Sequence, residues 1–253
     1  VRVASFLAFI PRLLALGLSL FGAQALAGYA PYADGHVLRA SDTTNRYVVA
    51  GGARFLIPAG EWIHYVFAPS VTQPQATINT YEVIPRDGTL IRELSETAIY
   101  VVVGAKDWWV PNPTELGFWD DTTSVNNVPT GSRDVFPMLV YSALIQDRTS
   151  SDIYLFVAGA VFAVTTPADL AYFGGSSAVK VVPLGTVGQY SNEVYCGTLL
   201  RERSSSTVYY MGYRSSSPTM WKGEVTGVTA DGVVPDGALS SFPLLPGIPS
   251  CIW

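Results

Sequence analysis

Apolar and polar positions along this chain repeat with a period of about 54 residues, the length of one supersecondary unit in a repeat protein. In each copy a short apolar strand carrying leucine is followed, after a near-constant gap, by an apolar strand opening with tyrosine. The clearest pairs are Leu90-Ile91-Arg92 with Tyr100-Val101-Val102-Val103, and Leu199-Leu200-Arg201 with Tyr209-Tyr210-Met211. Tyr47, Tyr100, Tyr154 and Tyr209 recur at almost equal intervals. Self-similarity of this kind predicts one unit packed on copies of itself, four in all.

Each copy reads as four pieces. A short segment ending in Val/Ile-Pro comes first, at 81–85, 125–129 and 179–183. The leucine strand follows, entered by a turn; Asp34-Gly35 and Asp87-Gly88 suit it because glycine accepts positive φ and Asp bonds its local backbone. The tyrosine strand is third. The fourth is entered through Gly51-Gly52 or Gly104 and carries large aromatics: Phe55, Trp108-Trp109 and Phe162. Those connections are short enough for hairpins. Pro113 and Pro167, each followed by an acid, predict one or two helical turns between copies.

Four strands per unit predict an all-β fold, a small β-propeller of four blades, or five if the tail forms its own blade. The first copy lacks a full Val-Pro strand, and Val233-Val234-Pro235-Asp236-Gly237 is a spare one. A strand donated by the C-terminus would close the ring and remove an exposed edge. An open solenoid or paired sandwiches are the competing geometries. The run Asp-Gly-Thr-Leu-Ile-Arg at 87–92, with Ile99–Gly104 and Trp108–Pro113, resembles repeats of secreted bacterial proteins without firm functional assignment. In layout the chain is also similar to hemopexin-like four-bladed propellers, which have a tyrosine-led strand, an aromatic strand and a disulfide tie. Those rings are tied from first blade to last, whereas Cys196 lies in the fourth copy, so the resemblance transfers no functional residue.

Residues 1–27 read as a secretory signal peptide: Arg2 and Arg12, an apolar run Leu13–Phe21, then Ala25-Leu26-Ala27. That run is too short to span a bilayer. Residues 28–253 then form one repeat domain, secreted, periplasmic or at the cell surface. Setting aside Arg2 and Arg12 leaves 13 basic against 20 acidic residues, a net charge of −7 with no basic run, which excludes nucleic acid as a natural partner. Cys196 and Cys251 are the two cysteines and predict one disulfide.

Candidate chemistry is sparse. His36 stands in a turn position that other copies fill with Thr89 or Thr198, and His64 lies in an alternating stretch, so neither marks a Ser-His-Asp system. Asp120, Asp121, Asn126 and Asn127 offer oxygen ligands of the kind Ca²⁺ takes, but turn-forming residues of a solvated loop account for them better. No cofactor or metal site is expected, and no catalytic residues. Aromatics are the better lead. Strand alternation sends one of Trp108 and Trp109 outward. That ring, with Trp62, Tyr65 or Trp119 and with Arg92 and Arg201, would form a surface for glycan or protein. The expected function is a non-catalytic binding or adhesion module. The alternatives are a self-associating surface protein and a hydrolase using Asp120 with Asp121, or Glu61.

Overall fold

The period seen in the sequence is the period of a sheet. A computed structural model describes residues 28–119, 124–136, 142–214 and 219–251. Its first sheet is built from β1 (Val37–Ala40), β2 (Arg46–Ala50), β3 (Ala53–Leu56) and β4 (Ser70–Gln73). The second holds β5 (Leu90–Glu93), β6 (Tyr100–Val103), β7 (Lys106–Trp109) and β8 (Asn126–Val128). The third holds β9 (Ala143–Asp147), β10 (Tyr154–Val157), β11 (Ala160–Ala163) and β12 (Lys180–Val182). The fourth holds β13 (Leu199–Glu202), β14 (Val208–Tyr213), β15 (Met220–Val225) and β16 (Gly232–Val234). The all-β expectation is met.

All four sheets share one topology. The first three strands form an antiparallel meander, and the last returns to lie parallel to the first, giving the order β3-β2-β1-β4 and its equivalents. A parallel return needs a crossover. It is supplied by a 3₁₀ helix at Ala59–Tyr65 in the first unit, by α2 (Pro113–Trp119) in the second and by α3 (Pro167–Tyr172) in the third; α1 (Gln75–Ile78) follows β4. This order corrects the sequence reading in one respect. The Val-Pro segments at 125–129 and 179–183 contribute the last strand of a unit, not the first: β8 pairs with β5 and β12 with β9. By the same rule β16 pairs with β13 inside the fourth sheet and does not complete the first. The first sheet supplies its own last strand, β4, which Pro74 follows directly.

The meander turns explain the small residues at their tips. Gly51-Gly52, Gly104-Ala105 and Ala158-Gly159 all hold positive φ at both positions, the primed-turn geometry matched to strand twist. A Cβ on Gly51 would lie within 2.8 Å of Thr89 and Pro85, so this turn also needs glycine because the next unit packs directly on it.

The core lies between sheets, in chain order. Val37, Val48 and Phe55 of the first sheet pack on Ile91, Val102 and Val128 of the second. Leu90, Val101 and Trp108 pack on Ile145, Phe156 and Val182 of the third. Leu155, Val157 and Phe162 pack on Leu200, Met211 and Val234 of the fourth. The two outward faces have their own covers. Ala30 and Ile78 are buried on the first sheet beside Leu38, Tyr47 and Val49. The C-terminal segment covers the fourth, through bridges from Ser250 to Tyr213 and from Leu244 to Lys222. Gly212 and Gly223 make room for Pro249 there. The expected disulfide joins Cys196 and Cys251, Cα atoms 5.6 Å apart, and ties that segment down.

Carboxylates staple each unit to the next. Glu61, Glu115 and Asp169 stand at the same place in successive repeats. Each reaches into the following unit and accepts the backbone N–H after its Val-Pro strand, from Thr130 (3.1 Å), Leu184 (3.1 Å) and Asp236 (3.3 Å). Arg148 chelates Glu115 at 2.8–3.1 Å, and Arg203 donates to Asp169 at 2.8 Å. A second acid row works within units. Glu93, Asp147 and Glu202 accept the N–H of Arg133, Val187 and Leu239, at 2.7, 3.2 and 3.0 Å.

Candidate binding site around Trp109

Register places Trp108 opposite Val101 and Trp109 opposite Tyr100, so the two indoles leave β7 on opposite faces. Trp108 is 1% exposed. Its Nε1 donates to the Val103 carbonyl at 2.9 Å, and its ring meets Phe156 and Tyr190 edge-on at 5.2 and 5.6 Å. It fills core and is unavailable to a ligand. Trp109 is 40% exposed.

Trp109 divides two hollows. An apolar one of about 380 Å³ lies against Ile99, Val110, Pro111, Pro113 and Leu116. A polar one of about 340 Å³ is bounded by Tyr100, Lys106, Asp107, Arg133, Gln189 and Tyr190. The buried Asp107 carboxylate receives Lys106 Nζ and Arg133 Nε, each at 2.6 Å. The Arg133 guanidinium lies 3.4 Å from the Tyr100 ring centre and also meets Glu96 at 3.4 Å. Desolvation works against the Arg133 charge, but its hydrogen bond to Asp107 and the charges of Asp107 and Glu96 together outweigh it and hold its pKa above the ordinary value. Burial, helped by the Asp107 charge, pushes the Tyr190 phenol up to about 12, so it stays a neutral hydroxyl near pH 7. Two cations and two anions leave the polar hollow close to neutral. An exposed indole beside fixed donors suits an uncharged polyhydroxylated ligand: its C–H face on the ring, its hydroxyls on Arg133, Gln189 and Tyr190.

The other sequence candidates are engaged in structure. Trp62 donates Nε1 to Ile57 O at 3.0 Å, under the Arg46 guanidinium. Tyr65 donates to Asn127 O at 3.2 Å; burial and the Glu61 charge raise its pKa. Trp119 donates to Glu115 at 3.2 Å. Arg92 grips the Asn127 side chain at 2.8 and 3.0 Å. Arg201 donates to the carbonyls of Glu202, Arg203 and Ser205, closing its own turn. Tyr65, Arg92 and Asn127 thus gather at one junction, Trp109 lines a different hollow, and Arg201 belongs to β13 of the fourth sheet. His36 Nδ1 lies 2.9 Å from Ala33 O, in the slot where the Thr89 and Thr198 hydroxyls donate to Arg86 O and Tyr195 O. It is a turn residue. Asp120 and Asp121 lie outside the described residues.

Comparison of the chain with protein-family models, with curated proteins and with solved structures finds no match. The repeat itself therefore supplies the reference. Lys106, Asp107 and Trp109 stand where the first unit has Ala53, Arg54 and Leu56 and the third has Ala160, Val161 and Ala163. Arg133 stands where later units have Val187 and Leu239. Four departures from the repeat meet at one hollow. Lys106, Asp107 and Arg133 were missed from sequence because they belong to separate elements, β7 and the turn after β8, which only the fold joins; the departures themselves were the available signal.

Proposed function

We propose that this protein is a non-catalytic carbohydrate-binding repeat module that acts outside the cytosol and holds its ligand at Trp109. The observation that carries the reading is the convergence of Lys106, Asp107, Trp109 and Arg133, all foreign to the repeat, around one exposed indole. The disulfide supports an oxidising compartment. In this reading the units form an end-covered row with the chemistry confined to the second. The covered outward faces favour it over a self-stacking structural protein.

A glycan array with wild type, Trp109→Ala and Tyr190→Phe tests the reading. Wild type binds a neutral glycan, Trp109→Ala weakens binding at least tenfold with unchanged melting temperature, and Tyr190→Phe weakens it less. Failure of the folded wild type to bind any glycan, or full binding by Trp109→Ala, overturns it. Trp108→Ala is no substitute, because that ring is core.

A further inference from the structure

The first unit also departs from the repeat, at a different place. Arg46 stands where the other units have Ile99, Ile153 and Val208. Ile63 stands where the second and third have Gly117 and Ala171, and Val66-Phe67 where the third has Gly174-Gly175. In a 3₁₀ helix residues three apart share a face. Trp62 and Tyr65 therefore point inward onto the core, and Ile63 and Val66 point out. Ile63 is 67%, Val66 50% and Phe67 99% exposed. Three large apolar side chains crowded on one tip form a patch that water alone does not account for.

Two cations accompany the tip. Arg39 and Arg46 are directly opposed on β1 and β2. Like charges so placed repel each other. Arg46 lies 4.0 Å over the Trp62 ring, next to Ile63. Among the described residues neither Arg39 nor Arg46 has an acidic partner, whereas Arg133, Arg148 and Arg203 all do. Arg92 and Arg201, at the Arg39 position of other units, are held by Asn127 and by backbone carbonyls. Apolar side chains that sink beneath headgroups, beside guanidinium groups that meet anionic phosphates, are the two features of interfacial membrane contact. We infer that the Ile63–Phe67 tip, with Arg39 and Arg46, docks this protein on an anionic lipid surface. The inference does not depend on the glycan reading.

Flotation with phosphatidylcholine vesicles, with and without one-third phosphatidylserine, tests it. Wild type co-floats with the anionic vesicles and not with the neutral ones. Ile63→Asp with Phe67→Asp reduces co-flotation at least tenfold. Arg39→Gln and Arg46→Gln each reduce it about fivefold, and salt does the same. A Phe67→Trp variant shows a blue-shifted emission on anionic vesicles only, which reports insertion. Inorganic phosphate at millimolar concentration does not displace the protein. Displacement by phosphate would reassign the arginines to a soluble anion and overturn the inference. So would wild type remaining with the soluble fraction, the result expected if a protein partner occupies the tip instead, or full co-flotation by the folded Asp variant, which would place lipid binding elsewhere on the protein.

Discussion

The junction between the first and second units and the two junctions after it use the same staple with different parts. At the later junctions a buried acid, Glu115 or Asp169, meets both a backbone N–H and an arginine of the next unit. At the first, Glu61 is only partly buried and, among the described residues, meets the Thr130 N–H alone; Leu94 stands at the position of Arg148 and Arg203. The equivalence is fixed by backbone: Leu94, Arg148 and Arg203 each donate N–H to the last residue of the parallel strand, Val128, Val182 or Val234. Backbone pairing thus holds the repeat while the charged clamp is optional. A carboxylate can be buried where an arginine and two or more N–H groups surround it. Where the arginine is missing the acid stays near water.

The largest difference should come from deleting the acids. Glu115→Ala removes hydrogen bonds from Arg148, Leu184 and Trp119. It should cost about 2–3 kcal/mol, lowering Tm by roughly 5–10 °C. Glu61→Ala should cost less than about 1 kcal/mol. Thermal melts of the two variants side by side decide it; equal shifts would mean that the arginine clamp adds nothing to the shared backbone bond.

Acid should separate the junctions next. The Arg148 hydrogen bond holds Glu115 below the ordinary carboxylate pKa. Burial pushes Asp169 up, but hydrogen bonds from Thr166, Arg203 and the Asp236 N–H outweigh it, and its pKa is lowered too. A carboxyl lower in the folded than in the unfolded state contributes stability above its unfolded pKa, about 4. That contribution is lost as pH falls through the folded value. Urea melts from pH 6 down to 2 should show stability falling below about pH 4, with a shallower fall in Glu115→Gln/Asp169→Asn. An unchanged slope would remove both acids from the account.

Much of the architecture was legible because local chemistry determines it. Gly51-Gly52 announced a hairpin, and the leucine and tyrosine strands supplied an alternating face for each sheet. The order of strands was not legible. Nothing in Val-Val-Pro says whether it pairs with the leucine strand before or after it; the crossover through α2 or α3 decides that, and it made the C-terminal strand part of its own sheet. The aromatic lead at the site was half legible. Alternation foretold that one of Trp108 and Trp109 would face out, but the cations and carboxylate around it come from β7 and from the turn after β8, and only folding brings them together. The staples were missed because an acid after a helix-starting proline reads first as a helix cap.

The smallest expected effect runs in the other direction. Leu94→Arg restores the missing member of the first junction and places a guanidinium in the position from which Arg148 reaches Glu115. Its gain has a ceiling. Glu61 is partly solvated, so a new pair there is worth at most about 1 kcal/mol. Leu94 also borders the hollow beside Tyr65, so exchanging it surrenders some apolar contact. A Tm rise of about 1–3 °C is the expected net, present at pH 7 and absent when Glu61 is alanine. A rise that persists without Glu61 would place the benefit in the arginine's own packing. A fall would show that the first junction has exchanged the ionic clamp for an apolar one, with Leu94 as its working part.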